Sequence, residues 1–339
     1  MYSDWKTVVY EYAQRKNQTD VDYSLNPIIP LLSDDHVIRR KKLRLERLRE
    51  GHQARQARPI RSETRVRLSN VAADKRRVAV ELEFRVKHAY ELRDQEHTEE
   101  RVERERLTLF RDGLHWFIGK IEEAVAERRL DYTEPSYSDF LSFEELEKSR
   151  LRSAPFLNRD LLSGGSNAAR AIPYDRQHAV VYAERYWDRA NPEFIDFEVD
   201  CTNFISQCLY AGRAPMNYTG KRESGWWYRG RQDGHELWSY SWSVAHSLEQ
   251  LLRISRSSGL RAEVVDSPGQ LELGDVILYD WDGDGRFQHS VMVTAFDAAG
   301  MPLVNAHTTN SKHRYWDYRD SYAWTAQTVY RFFHIVDRF

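Results

Sequence analysis

Residues 199–212 read VDCTNFISQCLYAG, and this stretch predicts a short helix with Cys201 in its first turn. Gly212 follows at the position where helices commonly end. Unpaired backbone N–H groups and the helix dipole at a first turn favour a thiolate over a thiol. Cys201 is therefore a candidate nucleophile, and the competing interpretation is a small buried apolar residue. The apolar residues of the stretch recur at the helical period and form one stripe: Phe204, Ile205, Cys208 and Leu209.

The two cysteines of the chain both lie in this predicted helix. Cys201 and Cys208 would stand about 10 Å apart along its axis, which is too far for a disulfide bond. No Cys/His cluster in the sequence has the spacing of a zinc site. The sequence therefore predicts a free thiol at a helix start.

Length, composition and net charge limit the classes of protein to which the chain can belong. The chain has 339 residues, enough for two domains with separate cores, and 41% of them are hydrophobic. A net charge of -2 argues against a dedicated nucleic-acid binder. No apolar run reaches the length of a membrane span, and residues 1–6 lack the basic-then-apolar pattern of a signal peptide. These features predict a cytoplasmic protein without a membrane span, with the cell envelope as the alternative location.

Residues 1–125 predict two helices followed by antiparallel strands. The second strand pair turns at Asp112-Gly113, a common hairpin dipeptide, and ends in residues 115–121, HWFIGKI. This order of elements is similar to the SnoaL-like cone shared by relatives of nuclear transport factor. The resemblance implies a cone-like α+β domain that binds a small ligand or forms a homodimer. The helices are expected at 3–16 and 33–56, and period-two alternation predicts strands at 64–68, 78–86, 98–111 and 113–122.

Residues 126–171 predict a linker, because they are charged, contain prolines and end near a Gly/Ser cluster. Residues 172–339 form the second predicted domain, which opens with a helix over 174–187. Aromatic residues separated by glycine and serine follow the Cys201 helix, among them Trp226, Trp227 and Trp242. Such flat rings could form the floor of a groove that binds sugars or peptides, or they could form a satellite core under loops. The sequence leaves both interpretations open.

Three strands predicted near the C-terminus, at 273–279, 289–296 and 302–308, carry candidate catalytic residues. His289 begins the second of these strands and could project toward a helix packed on the sheet. Asn305 and His307 are two residues apart on the third strand and so share one face. Either could hold the His289 imidazole in its working tautomer, as in a nucleophile–base–orienter arrangement.

Five phrases occur in order in the C-terminal half: YDRQHAVVYAERYWDRANPEF, DCTNFISQCLYAG, SYSWSVAHSL, LGDVILYDWDGDGRFQHSVMVT and NAHTTN. Together they resemble a bacterial amidase-domain family of papain-like hydrolases that is related to the NlpC and CHAP cell-wall enzymes. The resemblance implies Cys201 as nucleophile, His289 as base and a third polar residue, His307 or Asn305, on the following strand. The chain is thus predicted to be α+β, with a papain-like cysteine hydrolase domain of helices packed on an antiparallel sheet behind the cone-like domain.

The resemblance also implies a reaction, because the related families cleave amide bonds in peptidoglycan peptides. The Cys201 thiolate would attack the amide carbonyl of a peptide or peptidoglycan-like substrate, and the oxyanion would be held by the Cys201 N–H and a second donor, Tyr182 or Asn203. This chemistry requires no cofactor. The rival interpretations are a non-catalytic module that binds cell-wall or peptide ligands, and a scaffold that dimerises through its N-terminal domain.

The loop before His289 reads DWDGDGR over residues 280–286. Asp280, Asp282 and Asp284 match the first half of a calcium loop. The twelfth position is Val291, where a calcium loop requires a bidentate glutamate. A polar hairpin turn is therefore the favoured interpretation, and bound calcium is the alternative.

Overall fold

The computed structural model describes residues 4–123, 127, 171–232, 235–254 and 258–339. The N-terminal half begins with two helices, α1 (Trp5–Asp22) and α2 (Asp35–Arg55), separated by a 3-10 turn. Each helix starts behind an aspartate whose carboxylate accepts backbone N–H groups of the first turn, namely Asp4 and Asp34. Both predicted helices are confirmed, and α1 extends beyond its predicted end.

Four antiparallel strands follow in the N-terminal half. Alternate residues of the second strand point into a core against the helices, as the period-two pattern predicted. The turn between the third and fourth strands contains Gly113 at φ +59°, a conformation that glycine adopts readily. The strands are β1 (Arg58–Ala73), β2 (Arg77–Leu92), β3 (Gln95–Asp112) and β4 (His115–Glu123).

The C-terminal half packs helices on a second run of strands. Its helices are α3 (Arg176–Tyr186), α4 (Cys201–Ala211), α5 (Tyr240–Ser243) and α6 (Ala245–Arg253). Its strands are β5 (Tyr228–Gln232), β6 (His235–Trp238), β7 (Ala262–Val265), β8 (Val276–Asp280), β9 (His289–Phe296), β10 (Pro302–Ala306), β11 (Ser311–Tyr315) and β12 (Val329–Ile335). Among the described residues, no helix combines the length and the apolarity needed to cross a membrane.

The strands of both halves join into one antiparallel sheet of ten strands. Its order is β1-β2-β3-β11-β10-β9-β8-β12-β7, and β4 pairs with β3 outside this path. The edge of β3 that faces away from β2 is shared, because Glu100 and Arg101 pair with β11 whereas Glu105–Asp112 pair with β4. Mixed helices and antiparallel strands confirm the α+β class.

Each half nevertheless buries its own hydrophobic core, and polar contacts join the two. Arg44 on α2 donates to the carbonyl oxygen of Asp320 at 2.9 Å, and Arg101 on β3 forms an ion pair with the Asp320 carboxylate. The predicted linker at 126–171 lies outside the described residues, apart from Glu127 and position 171. The division into residues 1–125 and 172–339 therefore stays a prediction.

Gly212 ends α4 for a reason that the sequence did not indicate. Its φ is -74°, an ordinary value, and the left-handed residue at this helix end is Arg213 at φ 72°. A Cβ atom built on Gly212 would lie 2.4 Å from Cε2 of Tyr174 and 3.1 Å from the carbonyl oxygen of Asp175. The position requires glycine because α3 and its leading segment approach the backbone closely.

Gly212→Ala is therefore expected to lower the free energy of unfolding by about 1–3 kcal/mol, as overpacked core sites do. Gly51→Ala is the matched control, because a Cβ at Gly51 meets no atom within 4 Å and alanine is the better helix former in α2. Urea denaturation of both variants checks the prediction. A Gly212→Ala protein as stable as Gly51→Ala would contradict it.

Candidate active site

Cys201 is the first residue of α4 and is buried where this helix meets the start of β9. The neighbouring Thr202 and Ser290 of β9 are hydrogen-bonded through their hydroxyls at 3.1 Å. The Cys201 Sγ lies 3.9 Å from the carbonyl oxygen of Gln288 and 3.7 Å from the hydroxyl of Thr202. The apolar stripe that predicted the helix is completely buried and fixes α4 on the sheet.

Burial raises the pKa of the Cys201 thiol, although hydrogen bonds from Thr202, Ser290 and Thr308 oppose this shift. The prediction that the helix start favours a thiolate is therefore wrong for this enclosed conformation. The physical reason is that removing the anion from water outweighs the favourable groups around it. Cys201 is held as a thiol, so its reaction requires a base.

Two backbone N–H groups converge on one oxygen beside this thiol. The N–H groups of Asp200 and Cys201 both donate to Oγ1 of Thr308, at 3.1 Å each. Thr308 lies just beyond β10 and has φ 83°, a left-handed conformation that β-branched residues rarely adopt. The first turn of α4 therefore presents a pair of donors aimed at a single acceptor.

His289 is completely buried at the start of β9, in a box of aromatic rings. Its ring centroid lies 5.6 Å from that of Tyr279, 5.9 Å from that of Trp281 and 5.4 Å from that of Tyr318. Neither of its ring nitrogens has a hydrogen-bond partner among the described residues. Burial lowers the pKa of His289 to about 4; Glu127 opposes the shift and Arg314 adds to it. The ring is therefore neutral at pH 7.

The structure does not bring His289 into a hydrogen bond with Cys201. Side chains alternate along β9, and Ser290 faces α4 whereas Val291 and Val293 pack on the opposite side of the sheet. His289 shares the face of Val291, where Tyr279 and Tyr318 also lie. The expectation that its side chain projects toward the helix is thus wrong, because the register of β9 assigns this face to Ser290.

The buried neutral ring predicts an acid-sensitive fold. An unfolded histidine gains a proton near its ordinary pKa of about 6.5, whereas the folded His289 does so only near pH 4. The unfolded chain therefore binds more protons as the pH falls from 6.5 to 4, and stability should fall by roughly 3 kcal/mol across this window. In His289→Phe the free energy of unfolding should fall by roughly 3 kcal/mol less over the same pH range. Burial also lowers the pKa of His52, to about 3, so some decline should remain. Urea unfolding at a series of pH values checks this, and equal slopes for the two proteins would contradict it.

The two predicted orienting residues are hydrogen-bonded elsewhere. The His307 ring nitrogens lie 2.6 Å from the Asp200 carboxylate and 2.6 Å from the carbonyl oxygen of Tyr186. Its ring stacks on Phe204 of α4 with centroids 4.0 Å apart. These contacts fix His307 beside the first turn of α4 and leave no nitrogen directed at His289.

Asn305 also belongs to a separate polar group on the α3 side of the sheet. Its side-chain nitrogen donates to Glu184 at 3.0 Å, and its side-chain oxygen accepts from the hydroxyl of Thr294 at 2.8 Å. Glu184 in turn lies 2.8 Å from Nε2 of His313. Asn305 therefore has partners for both ends of its amide without His289.

The predicted aromatic groove is a core. Trp226, Trp227 and Trp242 are all at most 2% exposed, so their faces are closed to a sugar or peptide in this conformation. The indole of Trp242 donates to Asn203 at 2.8 Å, and the hydroxyl of Tyr182 donates to Gln207 at 2.7 Å. Both predicted oxyanion donors thus take part in internal hydrogen bonds, and the satellite-core interpretation describes the tryptophans.

The acidic loop has the geometry of a turn. The Asp280 carboxylate accepts the N–H groups of Asp282, Gly283 and Gly285, and that of Asp284 accepts the N–H of Arg286. These hydrogen bonds are those of a tight turn, and they occupy three acceptor positions of the Asp280 carboxylate and one of the Asp284 carboxylate. Within the described part of the chain, no group of three or more His, Cys, Asp or Glu side chains is arranged to hold a metal ion. Calcium binding at this loop stays a prediction.

Two residues of the site were absent from the sequence prediction. Asp200 sits at the cap of α4, but its carboxylate bonds His307 and Asn203 instead of capping the helix. Thr308 supplies the acceptor for the N–H pair. Both neighbour predicted residues in the phrases DCTNF and NAHTT, and that adjacency was the available signal.

Two known proteins are similar to parts of this chain. The uncharacterized protein YhbB of Bacillus subtilis (strain 168) is 53% identical over 168 residues, which cover 50% of this chain and 52% of YhbB. The uncharacterized protein YjcM of the same strain is 27% identical over 204 residues, covering 56% of this chain and 45% of YjcM. The chain therefore spans about half the length of these relatives.

One solved structure aligns with a part of this chain, and the similarity is weak. The intermembrane space region of the chloroplast protein ARC6 aligns with 35% of this chain and 92% of its own length at 14% identity, and the TM-score of 0.26 supports no argument. The papain-like and SnoaL-like resemblances therefore stay predictions. Residues 173–332 match the family described as "Putative amidase domain", and this match supports an amidase-domain family for the region that holds Cys201, His289 and His307.

Proposed function

We propose that the protein is a thiol-dependent amidase in which Cys201 attacks the carbonyl carbon of an amide. The observation that carries the proposal is the pair of N–H groups, from Asp200 and Cys201, that meets one oxygen beside the thiol. Acyl-transfer enzymes use such preorganised donors to stabilise the oxyanion of the tetrahedral intermediate. The amidase-domain match supports the same class of reaction.

His289 is the proposed base. It is neutral at pH 7 because burial lowers its pKa to about 4, and a neutral imidazole can accept a proton. Its ring nitrogens are not engaged by any described residue. In the enclosed conformation His289 lies on the face of β9 opposite to α4, so the proposal requires the start of β9 to turn until its ring reaches the thiol that the Gln288 carbonyl oxygen already contacts. Catalytic hydrogen bonds often tighten only when substrate binds.

The reaction then proceeds through a thioester. The thiol proton of Cys201 passes to His289 as the S–C bond forms, and the carbonyl oxygen becomes an oxyanion at the N–H pair. Collapse of the intermediate breaks the C–N bond, and the imidazolium returns the proton to the leaving amine. A water molecule that gives its proton to His289 attacks the thioester, the C–S bond breaks, and the imidazolium returns the proton to the Cys201 sulfur as the acid is released. Peptide or peptidoglycan-like amides are the proposed substrates.

A non-catalytic ligand-binding module is the second candidate. It is favoured by one observation, that Cys201 and His289 are both buried and share no hydrogen bond. The two candidates differ in whether a covalent intermediate forms on Cys201.

Acid quenching during incubation with soluble peptidoglycan peptides tests this difference. The amidase should give an acyl adduct on the tryptic peptide between Arg189 and Arg213, and fragment ions should place it on Cys201, since Cys208 lies on the same peptide. Cys201→Ala should lose the adduct and Cys208→Ala should keep it. Binding of the peptides without any adduct or amine release would favour the module.

A further inference from the structure

Thr308 fills the position that a substrate oxygen would occupy in the proposed reaction. Its Oγ1 accepts the N–H groups of Asp200 and Cys201 together, which one hydroxyl oxygen can do because it carries two lone pairs. While the hydroxyl is in place, neither N–H can donate to a substrate carbonyl. Substrate and hydroxyl therefore compete for the same two donors.

The backbone of Thr308 is held in an unfavourable conformation. Its φ of 83° is in the left-handed region, where the branched Cβ of threonine is crowded. Such residues persist where neighbouring contacts hold them, and they cluster at switches and active sites. Here the preceding His307 is anchored to Asp200 and to the carbonyl oxygen of Tyr186. Releasing the Thr308 hydroxyl would let this backbone relax.

Thr308 also faces a cavity of about 200 Å³ at the junction of the two halves. Arg44 and Arg101 of the N-terminal half and Glu198 of the C-terminal half contribute to its lining. Thr308 contacts the first turn of α4 through its hydroxyl and borders this cavity as well. Its withdrawal would join the surroundings of Cys201 to the cavity, whose charged lining suits a hydrophilic substrate.

We propose that Thr308 is a self-inhibitory plug, which occupies the oxyanion site and separates Cys201 from the junction cavity until a substrate carbonyl displaces it. The inference rests on the proposed function for the identity of the oxyanion site. The exchange keeps the N–H pair satisfied, because a carbonyl oxygen replaces a hydroxyl oxygen as acceptor. The plugged state is the form in which Cys201 is enclosed.

The test is the alkylation rate of Cys201 by iodoacetamide in Thr308→Val, which keeps the branched shape and removes the acceptor. We expect the rate at high pH, where the thiol is ionised, to rise roughly tenfold, because the accessible state is no longer a minor population. Thr308→Ser keeps the hydroxyl and should stay within about twofold of the unmodified protein. Thr309→Val, at the next position, controls for adding an apolar side chain to this turn.

Alkylation separates the plug from the proposed function, because it requires no substrate. An unchanged or slower Cys201 rate in Thr308→Val overturns the plug. A parallel rise at Cys208, which lies in the core, also overturns it, because the hydroxyl would then be stabilising the fold as a whole. If Thr308→Val exposes Cys201 selectively while no amide is ever hydrolysed, Thr308 still controls access to Cys201, but the amidase proposal and the assignment of an oxyanion site both fail.

Discussion

Replacing Cys201 by alanine is expected to lower the rate of amide hydrolysis by roughly three orders of magnitude or more, as loss of a nucleophile does in acyl-transfer enzymes. The variant keeps the N–H pair but cannot form the thioester. Stability should fall by no more than about 1 kcal/mol, because the contacts of the thiol at 3.7 and 3.9 Å are weak and its removal leaves only a small cavity. Release of primary amines from peptidoglycan peptides, with a thermal melt of the same sample, measures both effects.

Cys208→Ala is the matched control for this experiment. Cys208 lies on the same helix but is enclosed among apolar residues of the core. Its replacement should preserve hydrolysis and lower the free energy of unfolding by about 1 kcal/mol, since a small cavity is created. Hydrolysis that survives Cys201→Ala, or that is lost equally in both variants, would end the proposal.

Replacing Arg101 by methionine is expected to lower the free energy of unfolding by about 3–5 kcal/mol, the usual effect of breaking a buried ion pair. The Arg101 side chain is 4% exposed and forms ion pairs with Asp320 and, at 3.1 Å, with Glu99. Burial alone would raise the pKa of Asp320, but Arg314, Arg101 and Arg44 together hold it below its usual range. Without Arg101, a buried carboxylate at the junction loses one of these cations.

Arg58→Met provides the comparison, because Arg58 also lies on a strand and pairs with a glutamate, Glu91, but its side chain is 72% exposed. Exposed pairs contribute only about 0–1 kcal/mol. Urea denaturation followed by tryptophan fluorescence should therefore show a large shift for Arg101→Met and a small one for Arg58→Met. Similar midpoints for the two variants would show that the junction charges do not stabilise the fold.

Local patterns predicted the elements that depend on local spacing. The Cys201 helix, the strand that begins at His289 and the long hairpin of β3 and β4 were all visible as helical or alternating periodicity. The pairing of Arg101 with Ser311 could not be predicted, because these residues are remote in sequence and local periodicity gives no information about such a contact. The shared sheet is a consequence of tertiary packing.

Only part of the site could be predicted, because the rest also depends on tertiary packing. The sequence located Cys201 at a helix start, but the direction of its pKa depends on enclosure by β9 and Thr308, which is tertiary information. The face of His289 depends on the register of β9, and a shift of one residue reverses it. The aromatic cluster could be interpreted either way from composition, and burial decides that Trp242 belongs to the core.

The shared edge of β3 has a consequence for biosynthesis. The N-terminal half leaves the ribosome first, and the edge of β3 at Glu100 and Arg101 that faces away from β2 then has no partner until β11 is made. An unpaired strand edge is a template for pairing with another chain. A nascent or truncated chain that stops before β11 should therefore self-associate through β3, and translation through the second half removes this risk by supplying the missing strand.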